Sequence, residues 1–341
     1  MLSSHSPHRP LSRRSTASRV CALALTVVVS AALAGCSAGA VAPAHPGPTS
    51  ASAVSVDNCG TPVRFTTAPH RVITIKSTST EMLLALGLGD RIVGTAFQDG
   101  PVPQRWADAA AKLPVLAERV PSQEVVLNAS PDLVYAGWES NFSADGAGAR
   151  ADLAALGVAS YVSPSACQEP AYKPAKLGFD DIFAEIGEVA KIFRTDDAAL
   201  LQEQRRELAA VVPDSRGLTA LWYSSGSDTP YVGAGIGAPE LLLKTVGLKN
   251  IAGAVADTWT SFNWEAVIDA NPDVIVLVDA SWNTVAHKIQ VLESNPATAN
   301  LDAVKHHRYL TVPFAASEAG VRTVSAATDL ARQLAQLNLD E

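Results

Sequence analysis

The chain has 341 residues, and its 34 acidic residues outnumber 26 basic ones to give a formal net charge of −8. This negative charge excludes nucleic acid as a partner and excludes electrostatic attachment to an anionic membrane surface. Once a leader is set aside, the remaining length suits two domains.

The first 35 residues have the pattern of a lipoprotein signal peptide. A basic stretch without acids is followed by an apolar run from Val20 to Ala32 and then by Leu33-Ala34-Gly35-Cys36. The run is too short for a transmembrane helix, and a cysteine at its end is the residue that is diacylated after cleavage. We therefore expect an extracytoplasmic protein, anchored to the outer face of the cell membrane only through lipid on Cys36.

Residues 36–58 are rich in Ala, Pro, Gly and Ser and are predicted to form a flexible tether. An amino-terminal α/β lobe is expected over residues 59–194. It opens with the alternating strand Arg71–Ile75 and a polar turn over residues 76–80, with Ser79 or Thr80 capping a helix that starts at Glu81. Lys76 would stand at the carboxyl end of a strand, where open α/β sheets bind ligands.

One sequence pattern, typical of a helix, a turn and a strand, occurs twice, once in each half of the chain. Glu124 lies seven residues before Pro131-Asp132, and Glu265 lies seven residues before Pro272-Asp273. In each copy a β-branched run follows the Pro-Asp pair, which indicates a buried strand. Both copies are preceded by a helix that ends in Gly-Leu, where glycine suits the position just after a helix end. The duplication predicts two similar α/β lobes.

Trp138 comes directly after the strand of the first copy. A tryptophan at that place either packs at the edge of the lobe or forms a wall of a ligand pocket. Cys59 and Cys167 are the two cysteines left after the leader and Cys36 are set aside, and an even pair in an exported protein favours a disulfide.

Residues 195–213 are predicted to form a helix that connects the lobes, because this Glu-, Gln- and Arg-rich segment has no counterpart in either copy. The carboxyl-terminal α/β lobe is expected over residues 214–341. It begins with a strand over 218–223 and a polar loop over 224–230.

Taken together, these features resemble the substrate-binding lipoproteins of ABC importers that carry ferric siderophores, haem and cobalamin. The resemblance covers about residues 59–338 and is carried by Pro69-His70-Arg71-Val72, both Glu/Pro-Asp units, Thr229-Pro230-Tyr231 and Trp259. It implies two Rossmann-like lobes joined by one long helix, a monomer that binds a small molecule, and a permease dimer with its ATPase as partners. No cofactor of the protein's own is expected.

The resemblance also implies roles for individual residues. Glu124 and Glu265 would dock onto basic residues of the permease, one from each lobe, although both could equally be surface acids favoured by helix dipoles. The resemblance further implies a ligand cleft between the lobes, lined by Trp138, Tyr231 and Trp259.

The ligand itself is less well defined by the sequence. Free metal ions are disfavoured, because His70, His287, His306 and His307 do not follow predicted strands. Candidate polar contacts are Lys76, Gln98, Arg119, Ser225, Glu318 and Arg322, of which Arg322 would suit a phosphate or carboxylate. Short segments around residues 77–80, 97–100 and 138–141 also resemble an actinobacterial branch proposed to import the precursor of coenzyme F-420. A ferric siderophore and this flat, anionic precursor are equal hypotheses, ahead of cobalamin and haem.

An exported hydrolase is the alternative of another class. The sequence lacks Gly-x-Ser-x-Gly and His-Glu-x-x-His patterns. The repeated glutamates would lie too far apart for a retaining glycosidase pair, whose carboxyl groups are about 5 Å apart. We therefore expect a binding protein and no enzyme.

Overall fold

The computed structural model describes residues 52–173 and 175–339. The predicted signal peptide, the lipidated Cys36 and most of the predicted tether lie outside the described residues. Within them the chain forms two larger sheets flanked by helices and a small two-stranded sheet. The two halves share one hydrophobic cluster, which includes Val72 and Met82 from the first half and Val321 and Val324 from the second.

The first half contains seven strands and the helices that connect them. The strands are β1 Val54–Asn58, β2 Thr61–Phe65, β3 Val72–Ile75, β4 Ile92–Ala96, β5 Val115–Ala117, β6 Leu133–Ala136 and β7 Ala159–Val162. The helices are α1 Ser77–Ala85, α2 Ala107–Ala110, α3 Gln123–Asn128 and α4 Arg150–Ala155. A parallel sheet is ordered β5-β4-β3-β6-β7, while β1 and β2 form a separate antiparallel hairpin.

Two helices, α5 Phe179–Phe193 and α6 Ala198–Ala209, lie in the chain between the sheets. The second half contains β8 Thr219–Ser225, β9 Tyr231–Gly233, β10 Lys249–Asn250, β11 Trp259–Ser261, β12 Val274–Asp279 and β13 Tyr309–Pro313. Its helices are α7 Ala238–Thr245, α8 Trp264–Ala270, α9 Val285–Ser294, α10 Asp302–Lys305 and α11 Thr323–Gln336. The sheet is ordered β11-β9-β8-β12-β13, with β10 beside β8, and its β8, β12, β13 and β10 strands are parallel.

The duplicated pattern has the structure that the sequence predicts. Helix α3 leads into β6 and helix α8 leads into β12, and both strands are central and buried. Gly87 and Gly247 follow their helices with φ of +73° and +85°, a conformation that glycine adopts without steric cost. The fold class predicted from the sequence, two similar α/β lobes, is confirmed.

The aspartate of each Pro-Asp pair has a role that the sequence does not reveal. The Asp132 carboxylate accepts hydrogen bonds from the backbone N–H groups of His70 and Arg71 at 2.7 and 3.0 Å, just before β3. The Asp273 carboxylate accepts from the N–H and hydroxyl of Thr219, both at 2.7 Å, at the start of β8. Each aspartate thus ties its own unit to the first parallel strand of its sheet.

Three boundaries differ from the sequence prediction. Residues 54–58 were expected to belong to the tether, but they form β1, because Val54 and Val56 face the core of the first half. Helix α1 begins at Ser77, and residues 77–80 are its first turn rather than a polar turn before it. The hydroxyls of Ser79 and Thr80 donate to the carbonyls of Ile75 and Lys76, so they are satisfied inside the helix.

The third difference concerns the predicted connecting helix at 195–213. The helix found there, α6, covers only Ala198–Ala209, and it is separated from α5 by Arg194, whose φ of 56° is left-handed. Gln204 is buried on α6 and donates to the carbonyl of Val321 at 3.2 Å, which holds this helix against the start of α11.

Candidate functional site

A cavity of about 460 Å³ opens between the two halves of the molecule. The first half contributes residues that follow β6 and β7, including Trp138, Ser140 and Gln168. The second half contributes residues at the end of β8 and after β12 and β13, including Ser225, Trp282 and Glu318. The site therefore lies at the carboxyl ends of parallel strands from both sheets, which is where open α/β sheets bind ligands.

Aromatic side chains form much of the cavity wall. The rings of Tyr231 and Trp259 are stacked, with centroids 6.3 Å apart and planes at 13°. Phe314 contacts Trp138 and Trp282 edge to face, with centroids 6.3 and 5.5 Å away. Trp282 is 54 % exposed and Tyr231 is 41 % exposed, so large apolar surfaces face solvent at the cavity. Such walls suit a flat or strongly apolar ligand.

Lys76 lies beneath this wall and does not line the cavity. Its side chain is fully buried and forms an ion pair with Asp99, while its Nζ lies 3.7 Å from the centroid of Trp138. Phe97 and Phe314 complete the cage, at 4.5 and 4.8 Å from the Nζ. This corrects the prediction that Lys76 touches the ligand: its charge is already neutralised, and it supports the Trp138 ring through a cation–π contact.

The loop that carries Lys76 is held tightly in place. Lys76 has a φ of 83°, which is uncommon for a residue with a side chain. The Asp99 carboxylate accepts a hydrogen bond from the backbone N–H of Ser77, and the Ser77 hydroxyl accepts from the N–H of Asp99. The surrounding ion pair and hydrogen bonds therefore stabilise a conformation that would otherwise be unfavourable.

Arg322 is also outside the cavity, contrary to the prediction of a ligand contact. Its guanidinium lies 3.2 Å from a carboxylate oxygen of Glu81, a residue of α1 that is fully buried. Burial raises the pKa of Glu81 to about 7, and Arg322 opposes this by favouring the charged form. The pair thus fixes α1 against the start of α11, and the basic group expected to hold an anionic ligand is engaged elsewhere.

Of the predicted polar contacts, Glu318 and Ser225 do line the cavity. One oxygen of Glu318 accepts a hydrogen bond from the indole N–H of Trp138, across the two halves. The second oxygen, Oε2, is buried and has no hydrogen-bond partner among the described residues. Gln98 instead donates to the carbonyl of Ala96, and Arg119 is exposed away from the cavity.

Glu124 and Glu265 occupy equivalent positions on the surface. Each is the second residue of its helix and lies two residues after the one whose side chain caps the helix start. Ser122 accepts from the N–H of Val125, and Asn263 accepts from the N–H of Ala266. Both glutamates are exposed, and neither lines the cavity. Their placement in the first turn also suits the helix dipole.

Cys59 and Cys167 form a disulfide with a Cα–Cα distance of 5.3 Å. It ties the turn after β1 to the segment after β7, and Cys167 itself lies at the cavity wall beside Gln168. The bond therefore fixes one margin of the site in the first half.

Sequence reasoning missed Trp282, Phe314 and Gln168 as cavity residues. Trp282 follows β12 as Trp138 follows β6, so the duplicated pattern itself contained the signal for Trp282. Phe314 follows β13, a strand that the sequence analysis did not identify. Gln168 could not be assigned to the cavity from the sequence, because its position depends on the loop that the Cys59–Cys167 disulfide fixes.

Among residues 52–173 and 175–339, His, Cys, Asp and Glu side chains form no group of three or more arranged to hold a metal ion. No helix in the described part of the chain has both the length and the hydropathy needed to cross a membrane.

Comparison with known proteins gives consistent matches over most of the chain. A family model described as periplasmic binding protein matches residues 72–316. An uncharacterized ABC transporter substrate-binding lipoprotein of Bacillus subtilis (strain 168), YvrC, is 26 % identical over 270 residues, covering 78 % of this chain and 80 % of that protein.

Two solved structures have closely similar folds. A periplasmic binding protein from Veillonella parvula aligns with a TM-score of 0.73 and 27 % identity, over 84 % of this chain and 98 % of the other. A protein of an ABC-type Fe3+-hydroxamate transport system from Saccharomonospora viridis aligns with a TM-score of 0.71 and 24 % identity, over 82 % of this chain and 98 % of the other.

Proposed function

Because the chain belongs to the periplasmic binding protein family, we propose that it is the solute-binding component of an ABC importer. It captures a small molecule outside the cytoplasm and delivers it to a permease dimer powered by an ATPase. The leader and Cys36 support a lipid anchor as its only attachment to the membrane.

The observation that carries this proposal is the aromatic cavity between the two lobes. Its volume of about 460 Å³ lies within the range of roughly 300–1,000 Å³ that is usual for small-molecule sites. Trp138 comes from one lobe, while Tyr231, Trp259 and Trp282 come from the other, so a ligand bound there touches both. This arrangement suits a carrier, which must enclose its ligand and later release it unchanged.

Delivery to a permease needs a contact surface outside the cavity. Glu124 and Glu265 are exposed, acidic and related by the duplication, and they leave the cavity unobstructed. We assign them to docking, each lobe contacting a basic patch of its own permease subunit through charge-assisted hydrogen bonds.

For the ligand, we propose a metal chelate or a large planar compound, because the aromatic walls of the cavity would suit either class. A ferric siderophore and the coenzyme F-420 precursor represent these classes, with cobalamin and haem as alternatives of the same family. The Fe3+-hydroxamate system of S. viridis shares the fold of this chain, which supports testing a ferric hydroxamate first.

The test is calorimetric titration of the mature protein with a ferric hydroxamate, haemin, cyanocobalamin and riboflavin. We expect saturable binding of at least one compound, weakened by about 1–3 kcal/mol in Trp282→Ala, because this change removes an exposed aromatic wall. Leu156→Ala is the matched control, since Leu156 is 58 % exposed but lies away from the cavity. Equal affinities for wild type and Trp282→Ala would place binding outside the cavity.

A further inference from the structure

We propose that the cavity selects a flat aromatic ligand without negative charge, which donates a hydrogen bond to Glu318. This inference rests on the proposed function and defines the ligand class of the same site. It departs from the sequence-based expectation of an anionic ligand, and it follows from how the charged side chains around the cavity are paired.

Among the residues that the structure describes, the charged groups beneath the cavity include no unpaired cation. Lys76 is the basic residue closest to the aromatic wall, but Asp99 neutralises it and both side chains are about 1 % exposed. Arg322 is paired with Glu81 and does not line the cavity. A buried carboxylate or phosphate on the ligand would therefore find no unpaired basic partner at the base of the cavity.

Because Lys76 and Arg322 are paired, Glu318 determines the charge at the base of the cavity. Its Oε1 accepts from the Trp138 indole, and its buried Oε2 has no partner among the described residues. An unpaired buried oxygen is unfavourable, and a small rotation of the Glu318 side chain that brings Oε2 to the cavity surface would let a ligand N–H or O–H satisfy it. A ligand anion at the same place would instead face a carboxylate, and like charges in a poorly solvated site repel strongly.

The raised pKa of Glu318 fits a role in binding a hydrogen-bond donor of the ligand. Burial raises the pKa of Glu318 to about 7, Lys76 lowers it, Asp99 raises it, and the hydrogen bond from Trp138 lowers it. A ligand that donates a hydrogen bond favours the ionised carboxylate, so its affinity should increase as pH rises through 7. An anionic ligand should show the opposite dependence.

The other charged residues of the cavity do not change this conclusion. Glu139 adds a further carboxylate, which accepts from the backbone N–H of Gln168. Lys173 is the one basic residue among the described residues that line the cavity, and its side chain is exposed. An exposed lysine is strongly hydrated, so it offers an arriving anion little stabilisation.

Riboflavin and riboflavin 5′-phosphate provide a matched pair of probes, because they share one planar ring system with an N–H donor and differ by a phosphate. At pH 7.5 we expect wild-type protein to bind riboflavin roughly tenfold or more tightly than its phosphate. In Glu318→Gln the ratio should fall to within about threefold, and the pH dependence of riboflavin binding should disappear. Glu118→Gln, which changes an exposed acid outside the cavity, is the control and should retain the wild-type preference.

Three results would overturn the inference: equal or tighter binding of the phosphate, an unchanged ratio in Glu318→Gln, or binding of neither flavin. The proposed function would survive each of them if haemin or a ferric hydroxamate bound in a manner weakened by Trp282→Ala. If no compound of either set bound in the cavity, the proposed function itself would fail.

Discussion

The ion pair between Lys76 and Asp99 is the residue-scale feature that most affects the stability of the site. Both side chains are buried, and the pair carries the loop that supports Trp138. Removing one partner from such a pair leaves an uncompensated charge in a poorly solvated place, which is more damaging than replacing both partners together.

We therefore predict that Asp99→Asn lowers the free energy of unfolding by about 3 kcal/mol, and that Lys76→Met added to it restores part of the loss. Urea denaturation followed by circular dichroism measures both effects. Asp329→Asn is the control, because it breaks an exposed pair with Arg332 and should cost under about 1 kcal/mol. A loss for Asp99→Asn as small as that of the control would contradict the structural importance of the buried pair.

At the scale of elements, helix α5 is joined to the first sheet through a buried carboxyl group. The Tyr135 hydroxyl of β6 donates to Glu185 of α5 at 2.7 Å, and the Tyr161 hydroxyl of β7 donates to Glu188 at 2.7 Å. Burial raises the pKa of Glu185 to about 7, and the hydrogen bond from Tyr135 opposes the increase. Between pH 4.5 and about 7, the folded protein thus keeps a proton on Glu185 that the unfolded chain has released.

The sign of the pH dependence follows from this difference. Stabilisation by Glu185 is complete below the unfolded pKa of 4.5 and is lost as pH rises through about 7. We predict that Glu185→Gln, compared with wild type, removes a decline in unfolding free energy of about 3 kcal/mol between these pH values. If the unfolding free energies of wild type and Glu185→Gln changed in parallel with pH, the pKa of Glu185 would not be raised in the folded protein.

The Pro-Asp units give a second prediction for the elements. Asp132→Ala and Asp273→Ala should each lower the free energy of unfolding by about 1–2 kcal/mol, since each removes two hydrogen bonds at the start of a strand. The double variant should show the sum of the two losses, because the aspartates serve different sheets. Asp269→Ala, an exposed position on α8, should have almost no effect. Strong non-additivity would mean that the two lobes do not hold their first strands independently.

The limits of sequence reasoning are clear from these same elements. The helix, turn and strand order of both units could be read from apolar spacing and from Pro and Gly, because these are local signals. Trp138 could be placed near the cavity because it follows a strand end. The pairing of Lys76 with Asp99 and of Arg322 with Glu81 could not be read, since each pair joins segments that only the tertiary fold brings together. Two of the three basic residues chosen as candidate contacts, Lys76 and Arg322, are therefore already neutralised.

At the scale of the whole molecule, binding and delivery are assigned to different surfaces. The cavity lies between the lobes, while Glu124 and Glu265 are exposed at equivalent helix starts outside it. If each lobe contacts its own permease subunit, neither glutamate can replace the other. Charge reversal should be worse than truncation, because it adds repulsion against a basic surface to the loss of attraction.

The most direct test of this account is uptake by vesicles that contain the reconstituted permease and its ATPase, run beside a binding titration with the same compound. We predict that the double variant Glu124→Arg/Glu265→Arg retains wild-type ligand affinity but supports roughly tenfold or more slower uptake, with each single variant between. Normal uptake by the double variant would contradict docking through these acids. Loss of ligand affinity in that variant would contradict the separation of the binding cavity from the docking surface.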